Sequence, residues 1–202
     1  MSEYEIREPI QKRSIIKKEK IIESGFELIC QKGYYNTNTA EIAKNAGVST
    51  GIIYQYFKDK HGIFIEALKK YADSIFYPML DIPLKGFDKK DLAKIIREMI
   101  NHFIKNHKLS QSAHEEIMAM AHSDKDVAYY FHKREMEMTK KIYNLLMKNG
   151  FDDVNLLEKS HIVIGLIDNL CHEIVYHKHS ELNYQIMTDI CVNAIVDILN
   201  KA

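Results

Sequence analysis

The chain of 202 residues carries 28 Lys or Arg against 28 Asp or Glu, so its formal net charge is zero and bulk charge points to neither nucleic acid nor an anionic surface. Hydrophobic residues make up 46% of it, enough to fill a core and to exclude a disordered chain. Only three prolines and eight glycines punctuate the sequence, which favours long helices over strands and turns.

Residues 1–11 read as a polar tail; MSEYEIREP has no apolar run of the kind a secretory leader needs. The first 60 residues hold ten Lys or Arg against eight Asp or Glu, a slight basic excess. A helical pattern then opens on Arg13, Lys17, Lys18 and Lys20, with Ile22, Phe26 and Ile29 at the spacing of one helix face, and Gly33 as its stop. The basic run Lys12, Arg13, Lys17, Lys18 and Lys20 is either a solvated face or an arm on DNA phosphates. Asn38 with Glu41 three residues on is a capping-box spacing for a short helix ending at Gly47. Ser49 can cap a second short helix bearing Ile52, Ile53, Tyr56 and Phe57 inward or nearly so. Two short helices joined by a tight Gly turn form a helix-turn-helix.

A fourth helix is expected from about Gly62 to Phe76, followed by a loop over Tyr77–Lys89 that contains Pro78 and Pro83. The remainder reads as helices: Asp91–His107, Ser112 to about Ala121, Asp124–Lys148 with Asp124 and Gly150 as caps, Asn155–Lys178, and Asn183–Lys201. No convincing period-two segment occurs, so the fold class is all-α. Ile162–Tyr176 is apolar nearly all round, yet Asp168, Asn169, His172 and Glu173 interrupt it and it is too short for a bilayer. Cys30, Cys171 and Cys191 are odd in number and far apart, which suits buried thiols in a reducing compartment. These features lead to the expectation of a soluble cytoplasmic protein with no membrane association.

The most informative segment is GYYNTNTAEIAKNAGVSTGIIYQYFKDKHGIF, residues 33–64. Gly47 permits a positive φ at the sharp turn. Ser49 starts the second helix and leaves backbone N–H groups for a phosphate. Thr50 and Gly51 are small, so that helix start can approach base edges in a major groove. Gln55 suits adenine or a phosphate, and the Tyr54 and Tyr56 hydroxyls suit phosphates. Against this stands the fact that Tyr54, Tyr56 and Phe57 at helical spacing are more often core aromatics. Phe57 and Ile53 are assigned to the core and Tyr54 to the outer face, beside Thr50, Gly51 and Gln55.

Gly33-Tyr34, Thr37, Ile42-Ala43, Ala46-Gly47-Val48-Ser49, Thr50, Gly51, Tyr54, Phe57 and Lys60, in that order, resemble the DNA-binding domain of the TetR family. The likeness is detailed over Lys18–Leu68; Thr39 stands where the family usually has an apolar residue, so either Thr37 or Thr39 is the residue facing DNA. The resemblance implies a three-helix DNA-binding domain at residues 1–60 and a larger helical domain for ligand binding and dimerisation at residues 61–202. It implies DNA contacts from Thr37, Thr39, Ser49, Thr50, Gly51, Ile52, Tyr54, Gln55, Tyr56 and Lys60, with Ile52 placed to touch a thymine methyl and Lys60 a phosphate. It also implies a homodimer through the last two helices on a palindromic operator, and a small-molecule effector that releases a repressor.

Candidate effector-lining residues are Met99, Phe103, Met118, Tyr129 and Tyr143, with Met120, Tyr130 and Met136 nearby in sequence; ordinary core packing is the plainer role for each singly. Asp168 on an apolar helix needs a partner, either a ligand group or, preferably, an internal Tyr or His. His172, Glu173, His177 and His179 lack metal-ligand spacing, and His114, Glu115 and Glu116 read as surface groups, so no metal or other cofactor is expected. No nucleophile–base set, phosphate loop or G-x-S-x-G elbow occurs, so the chain is not read as an enzyme. The rival readings are a constitutive DNA binder without a ligand and a helical enzyme keeping a residual DNA-binding head.

Overall fold

In the computed structural model, residues 9–80, 87–107, 109, 111–151 and 153–201 are described, with the side chains of 74–80 left aside. Among them the chain is helical throughout, with no strand. The helices are α1 (Lys12–Lys32), α2 (Thr39–Ala46), α3 (Thr50–Tyr56), α4 (Lys60–Leu80), α5 (Leu92–Asn106), α6 (Gln111–Ser123), α7 (Lys125–Lys148), α8 (Leu156–Tyr176) and α9 (Tyr184–Asn200). A 3-10 turn at Lys89–Asp91 leads into α5. The tail expected at residues 1–11 lies mostly outside the described residues.

The expected punctuation is borne out at many helix ends. Gly33, Gly47 and Gly150 are the three positive-φ residues described, each just past a helix. The Asp124 side chain accepts the Asp126 and Val127 N–H groups at the start of α7, and the Asn183 side chain accepts the Gln185 and Ile186 N–H groups at the start of α9. The loop expected from Tyr77 needs correction, because α4 remains helical through Leu80. A proline deletes only its own backbone donor, and the helix runs two residues past Pro78 before ending. Residues 81–86 of that expected loop fall outside the described set.

Two compact units divide the contacts. The first comprises residues 1–73 and 109–128; the second comprises residues 74–108 and 129–202. In the first, Ile21, Ile22, Ile42, Ala43, Ala46, Ile53, Tyr56, Phe57, Ile63 and Ala67 form one core, with Phe26, Leu28, Val48 and Ile52 packed at its margin. Each fully buried Ile there contributes about 1.5–3 kcal/mol relative to exposure. Gly25 on α1 makes this packing possible, since a Cβ at that position would lie 2.6 Å from the Cγ2 of Ile63 on α4. α6 packs against α1 in the same unit.

In the second unit α5, α8 and α9 pack mutually. The buried stripe of α5 is Leu92, Ile96, Met99, Ile100 and Phe103, at the three-to-four spacing of one helix face. It faces an α8 surface that includes Val163, Ile167, Leu170 and Cys171 among its buried residues, while Val192, Ile195 and Leu199 of α9 complete the interior. No described helix is long and apolar enough to cross a membrane.

Candidate nucleic-acid interface

The helix-turn-helix is set up by local chemistry. The Asn38 side chain accepts the Glu41 N–H at 3.0 Å, and the Glu41 carboxylate accepts the Asn38 N–H at 3.3 Å, so the predicted capping box is present. A 2.6 Å ion pair with Lys32 is the main cause holding the Glu41 carboxyl below its ordinary range. α2 ends at Gly47 in the left-handed region (φ 66°, ψ 33°). There the Val48 N–H reaches back to the Ala43 carbonyl at 3.0 Å, and the half-buried Val48 side chain sits against the core under the turn. Ser49 occupies the cap position of α3, where its carbonyl accepts the Ile52 N–H, but its hydroxyl makes no capping bond.

α3 then splits by face. Ile53, Tyr56 and Phe57 are buried in the core, while Gly51, Tyr54 and Gln55 are exposed and Thr50 and Ile52 are half-buried. The outer face is therefore small at its start and polar along its length, with Ser49 exposed just ahead of it. The Thr39 hydroxyl, at the first residue of α2, lies 3.2 Å from the Tyr54 hydroxyl, so the two neighbouring hydroxyls tie the exposed edges of α2 and α3 together. Tyr54 is 38% exposed and Tyr56 only 8%, so two tyrosines one residue apart in spacing face opposite ways. Exposed Tyr35, at 78%, lies in the same connection before α2; nothing in its sequence neighbourhood marked it.

Three expected DNA-contacting side chains are turned inward. Thr37 is 2% exposed and its hydroxyl donates to the Gly33 carbonyl at 2.9 Å. Of the two threonines, Thr39 is the one that reaches the surface. Tyr56 belongs to the core cluster. Lys60 donates to the carbonyls of Tyr34 at 2.6 Å and Thr37 at 2.7 Å, and lies 4.2 Å from the Tyr34 ring centroid. Burial draws its ammonium below the ordinary lysine value. Lys60 thus fastens the first turn of α4 to the connection that delivers α2, a role that depends on residues 23 and 26 positions upstream and was not legible locally.

The opposite side of that connection is held from α6. Glu116 accepts the Tyr34 N–H at 2.7 Å. His61, next to Lys60, pairs with Asp124 at 2.9 Å. Burial, followed by the Asp59 and Asp124 carboxylates, raises the Tyr34 hydroxyl above its ordinary value. His61, Asp124 and Asp126 bring one donor atom each within 4.8 Å of one another. The His61 hydrogen bond and the two backbone N–H groups on Asp124 account for that grouping as helix capping.

The candidate effector residues are distributed between the units. Met118 belongs to the first; Met99, Phe103, Tyr129, Tyr143 and Asp168 belong to the second. Met99 and Phe103 are buried, Tyr143 is half-buried and Tyr129 is 70% exposed. Asp168 has the internal partner preferred for it, since His172 one turn on approaches at 3.1 Å; its side chain is 45% exposed, so it is not the fully buried carboxylate the apolar helix suggested. His172 in turn sits edge-on to His107, whose ring stacks on Phe103 at 4.0 Å between centroids. An open cleft of about 320 Å³ between α5, α8 and α9, lined in part by Arg97, Ile104 and Tyr184, includes none of the candidate residues.

Comparison with known proteins bears on the head above all. Residues 21–67 match the family model for bacterial regulatory proteins of the tetR family. A 92-residue stretch is 36% identical to the fatty acid metabolism regulator protein of Bacillus subtilis, covering 45% of this chain and 47% of that protein. A 58-residue stretch is 43% identical to the HTH-type transcriptional regulator HbdR of Aromatoleum, covering 29% of this chain and 25% of the relative. The chain thus spans half or less of the length of these relatives. A crystal structure of a transcriptional regulator from Aquifex aeolicus superposes with a TM-score of 0.62 over 89% of this chain and 97% of that one. At 17% identity that likeness concerns the fold. Because the capped α2, the glycine turn and the small-fronted α3 all fall within the matched residues, residues 21–67 are a domain of the tetR family of bacterial regulatory proteins.

Proposed function

We propose that the chain is a homodimeric DNA-binding transcription regulator, acting as a repressor that a small apolar or aromatic effector releases from a palindromic operator. The observation that carries the reading is the outer face of α3. Ser49, Gly51, Tyr54 and Gln55 are exposed there and Thr50 half-exposed, while the opposite face is anchored in the core through Ile53, Tyr56 and Phe57. A helix anchored on one side and small at its exposed start can enter a major groove. Residues 1–60 form the reading head in this proposal, and residues 61–202 serve effector binding and dimerisation.

Within the head, Gly51, Thr50, Gln55 and the margin residue Ile52 read bases, whereas Thr39, Ser49 and Tyr54 position the helix on phosphates. Thr37, Tyr56 and Lys60 support the face from behind.

Dimerisation through α8 and α9 is supported by apolar side chains left on their surfaces: Ile162, Leu166, Ile186 and Ile190 are all exposed. A two-fold axis there presents two copies of α3, and half-sites one turn of DNA apart, about 34 Å, match such a pair. An effector with an apolar or aromatic body suits the apolar side chains of Met99 and Phe103, with His107 and His172 as polar neighbours.

Selection from a random-sequence duplex pool tests the reading. The purified protein is expected to enrich a palindromic sequence, to bind it with Kd of about 10 nM or tighter at physiological salt, and to do so as a dimer. Failure of any sequence to enrich over successive rounds overturns the proposal.

A further inference from the structure

α6 grips the helix-turn-helix on both flanks. Towards its middle, Glu116 accepts the Tyr34 N–H at 2.7 Å, four residues before the Asn38 cap of α2. At its end, Asp124 bonds His61 at 2.9 Å, in the first turn of α4 after α3. Asp124 directly follows α6, and its own N–H donates to the Met120 carbonyl at 2.8 Å. The two grips lie about 12 Å apart along one helix. Between them they enclose residues 34–61, all of α2, the turn and α3. Gly33 admits the first grip: a Cβ there would sit 3.3 Å from the Glu116 carboxylate, and its φ of 88° suits glycine. The Tyr34 carbonyl on the other side of the same residue is held by Lys60, so Tyr34 is fixed from both its peptide groups.

We propose that Glu116 and the His61–Asp124 pair are positioning residues for operator reading, making α6 the strut that sets the angle of α3 to the DNA. The proposal rests on the DNA-reading function given above and assigns its mechanical support. Contacts place α6 in the same compact unit as the head. A charge-assisted hydrogen bond to a backbone N–H is directional, so it fixes orientation as well as distance. Loss of both grips leaves the core of the head intact, since neither Glu116 nor His61 belongs to its apolar cluster. What changes is the freedom of the α1–α2 connection and of the α3–α4 junction. Specific binding, which needs α3 in register with base edges, suffers more than phosphate attraction, which does not.

The test compares the full chain with Glu116→Ala, His61→Ala and the double variant, with Glu116→Gln as the conservative change. Glu115→Ala serves as the control of equal charge, because among the described residues that exposed carboxylate bonds only Gln111 on its own helix. Each is measured against the duplex that the parent selects from a random pool and against a scrambled duplex, at a temperature where circular dichroism shows a native helix signal. The double variant is expected to lose about tenfold in affinity for the selected duplex while its affinity for the scrambled one stays within about twofold. Glu116→Gln, which keeps an acceptor oxygen, and Glu115→Ala are expected to stay near the parent on both. The proposal is overturned if the double variant keeps the parent's specific affinity, if both affinities fall together, or if Gln at 116 is as damaging as Ala. A variant that does not fold also overturns it, because the residues are then structural first. If the parent selects no sequence, the failure belongs to the DNA-reading function itself.

Discussion

Replacing Gly51 by Ala separates the stability of α3 from its use. Gly51 is exposed in the first turn of α3, and a Cβ built on it meets only the Ser49 Oγ, at 3.9 Å, an ordinary contact. The chain itself therefore has room for the methyl group. Alanine in a helix is favoured over glycine by about 0.5–1 kcal/mol, because less backbone freedom is lost on folding. For a chain of this size that corresponds to a rise of about 2–4 °C in Tm per kcal/mol. DNA binding is expected to move the other way. If the start of α3 approaches base edges closely enough to need a residue without a side chain, the added methyl displaces the helix and weakens operator affinity by about 1–3 kcal/mol, about 5- to 150-fold. Fluorescence anisotropy on the selected duplex, paired with thermal denaturation of the same sample, measures both. A more stable protein that binds less well supports the argument. Unchanged operator affinity with unchanged or raised Tm refutes the close approach of Gly51, and with it the idea that small residues front the reading helix for steric reasons.

Gly25→Ala tests the opposite circumstance: its Cβ would meet Ile63 Cγ2 at 2.6 Å, so despite a better helix propensity it is expected to lower stability by about 1–3 kcal/mol in chemical denaturation, and an unchanged midpoint contradicts the packing described. Ile190→Glu puts a charge on the exposed apolar face of α9 and is expected to yield monomer in sedimentation velocity where the parent is dimeric; a variant that remains a dimer places the interface elsewhere. Burial is the main cause holding the His107 imidazole below its ordinary value of 6.5, so the folded state favours its neutral form. Its contribution is fully present above pH 6.5 and is lost as pH falls through the lower folded value; the drop in Tm from pH 7 to pH 5 is expected to be larger in the parent than in His107→Phe, and equal drops contradict this. Burial raises the thiol of Cys30 to about 11 and lifts those of Cys171 and Cys191 as well, so alkylation by iodoacetamide at pH 8 is expected to be slow until the chain is unfolded; rapid native-state labelling of all three refutes it.

The parts of this fold written within a few residues of themselves were legible in the sequence. The Asn38–Glu41 box, the glycine after α2 and the cap at Asp124 each need partners only two to five residues away, so spacing alone specifies them. The face assignment of α3 was readable for Ile53, Phe57 and Tyr54 but divided at Tyr56. A tyrosine satisfies either an apolar or a polar environment, and only the neighbouring helices decide between them. Thr37 and Lys60 were legible as chemistry but not as direction. A hydroxyl and an ammonium that suit phosphates suit buried carbonyls equally, and the carbonyls that hold Lys60 lie more than twenty residues upstream. Glu116 read as a surface carboxylate because its partner is 82 residues away. Pro78 does not stop α4, since a helix near its end tolerates the loss of one donor.

In the proposed DNA-reading function, the inward turn of Lys60 takes a cation away from the reading face. The outer face of α3 offers Ser49, Thr50, Gly51, Tyr54 and Gln55, none of them cationic. The chain as a whole has no net charge to draw it to DNA. Phosphate attraction must then come from exposed cations off the reading helix. Lys12, Arg13, Lys17 and Lys20 on α1, Lys44 on α2 and Lys58 after α3 are the exposed ones among the described residues of the head. Counterion release makes each phosphate contact visible as a slope in log Kd against log salt, whereas hydrogen bonds to base edges leave that slope nearly unchanged. In the proposed function, recognition and attraction thus fall to different side chains of the head. Removing a cation such as Lys44 is expected to lower affinity for every sequence and to flatten the salt dependence by about one phosphate's worth, while changing Gln55 is expected to alter the preferred sequence at constant slope. A reading face free of cations has little affinity of its own for arbitrary DNA, so discrimination depends on how firmly α3 is held in register, which returns the weight of specificity to the supports behind it: Lys60, the core under Ile53 and Tyr56, and the grip on Tyr34 and His61.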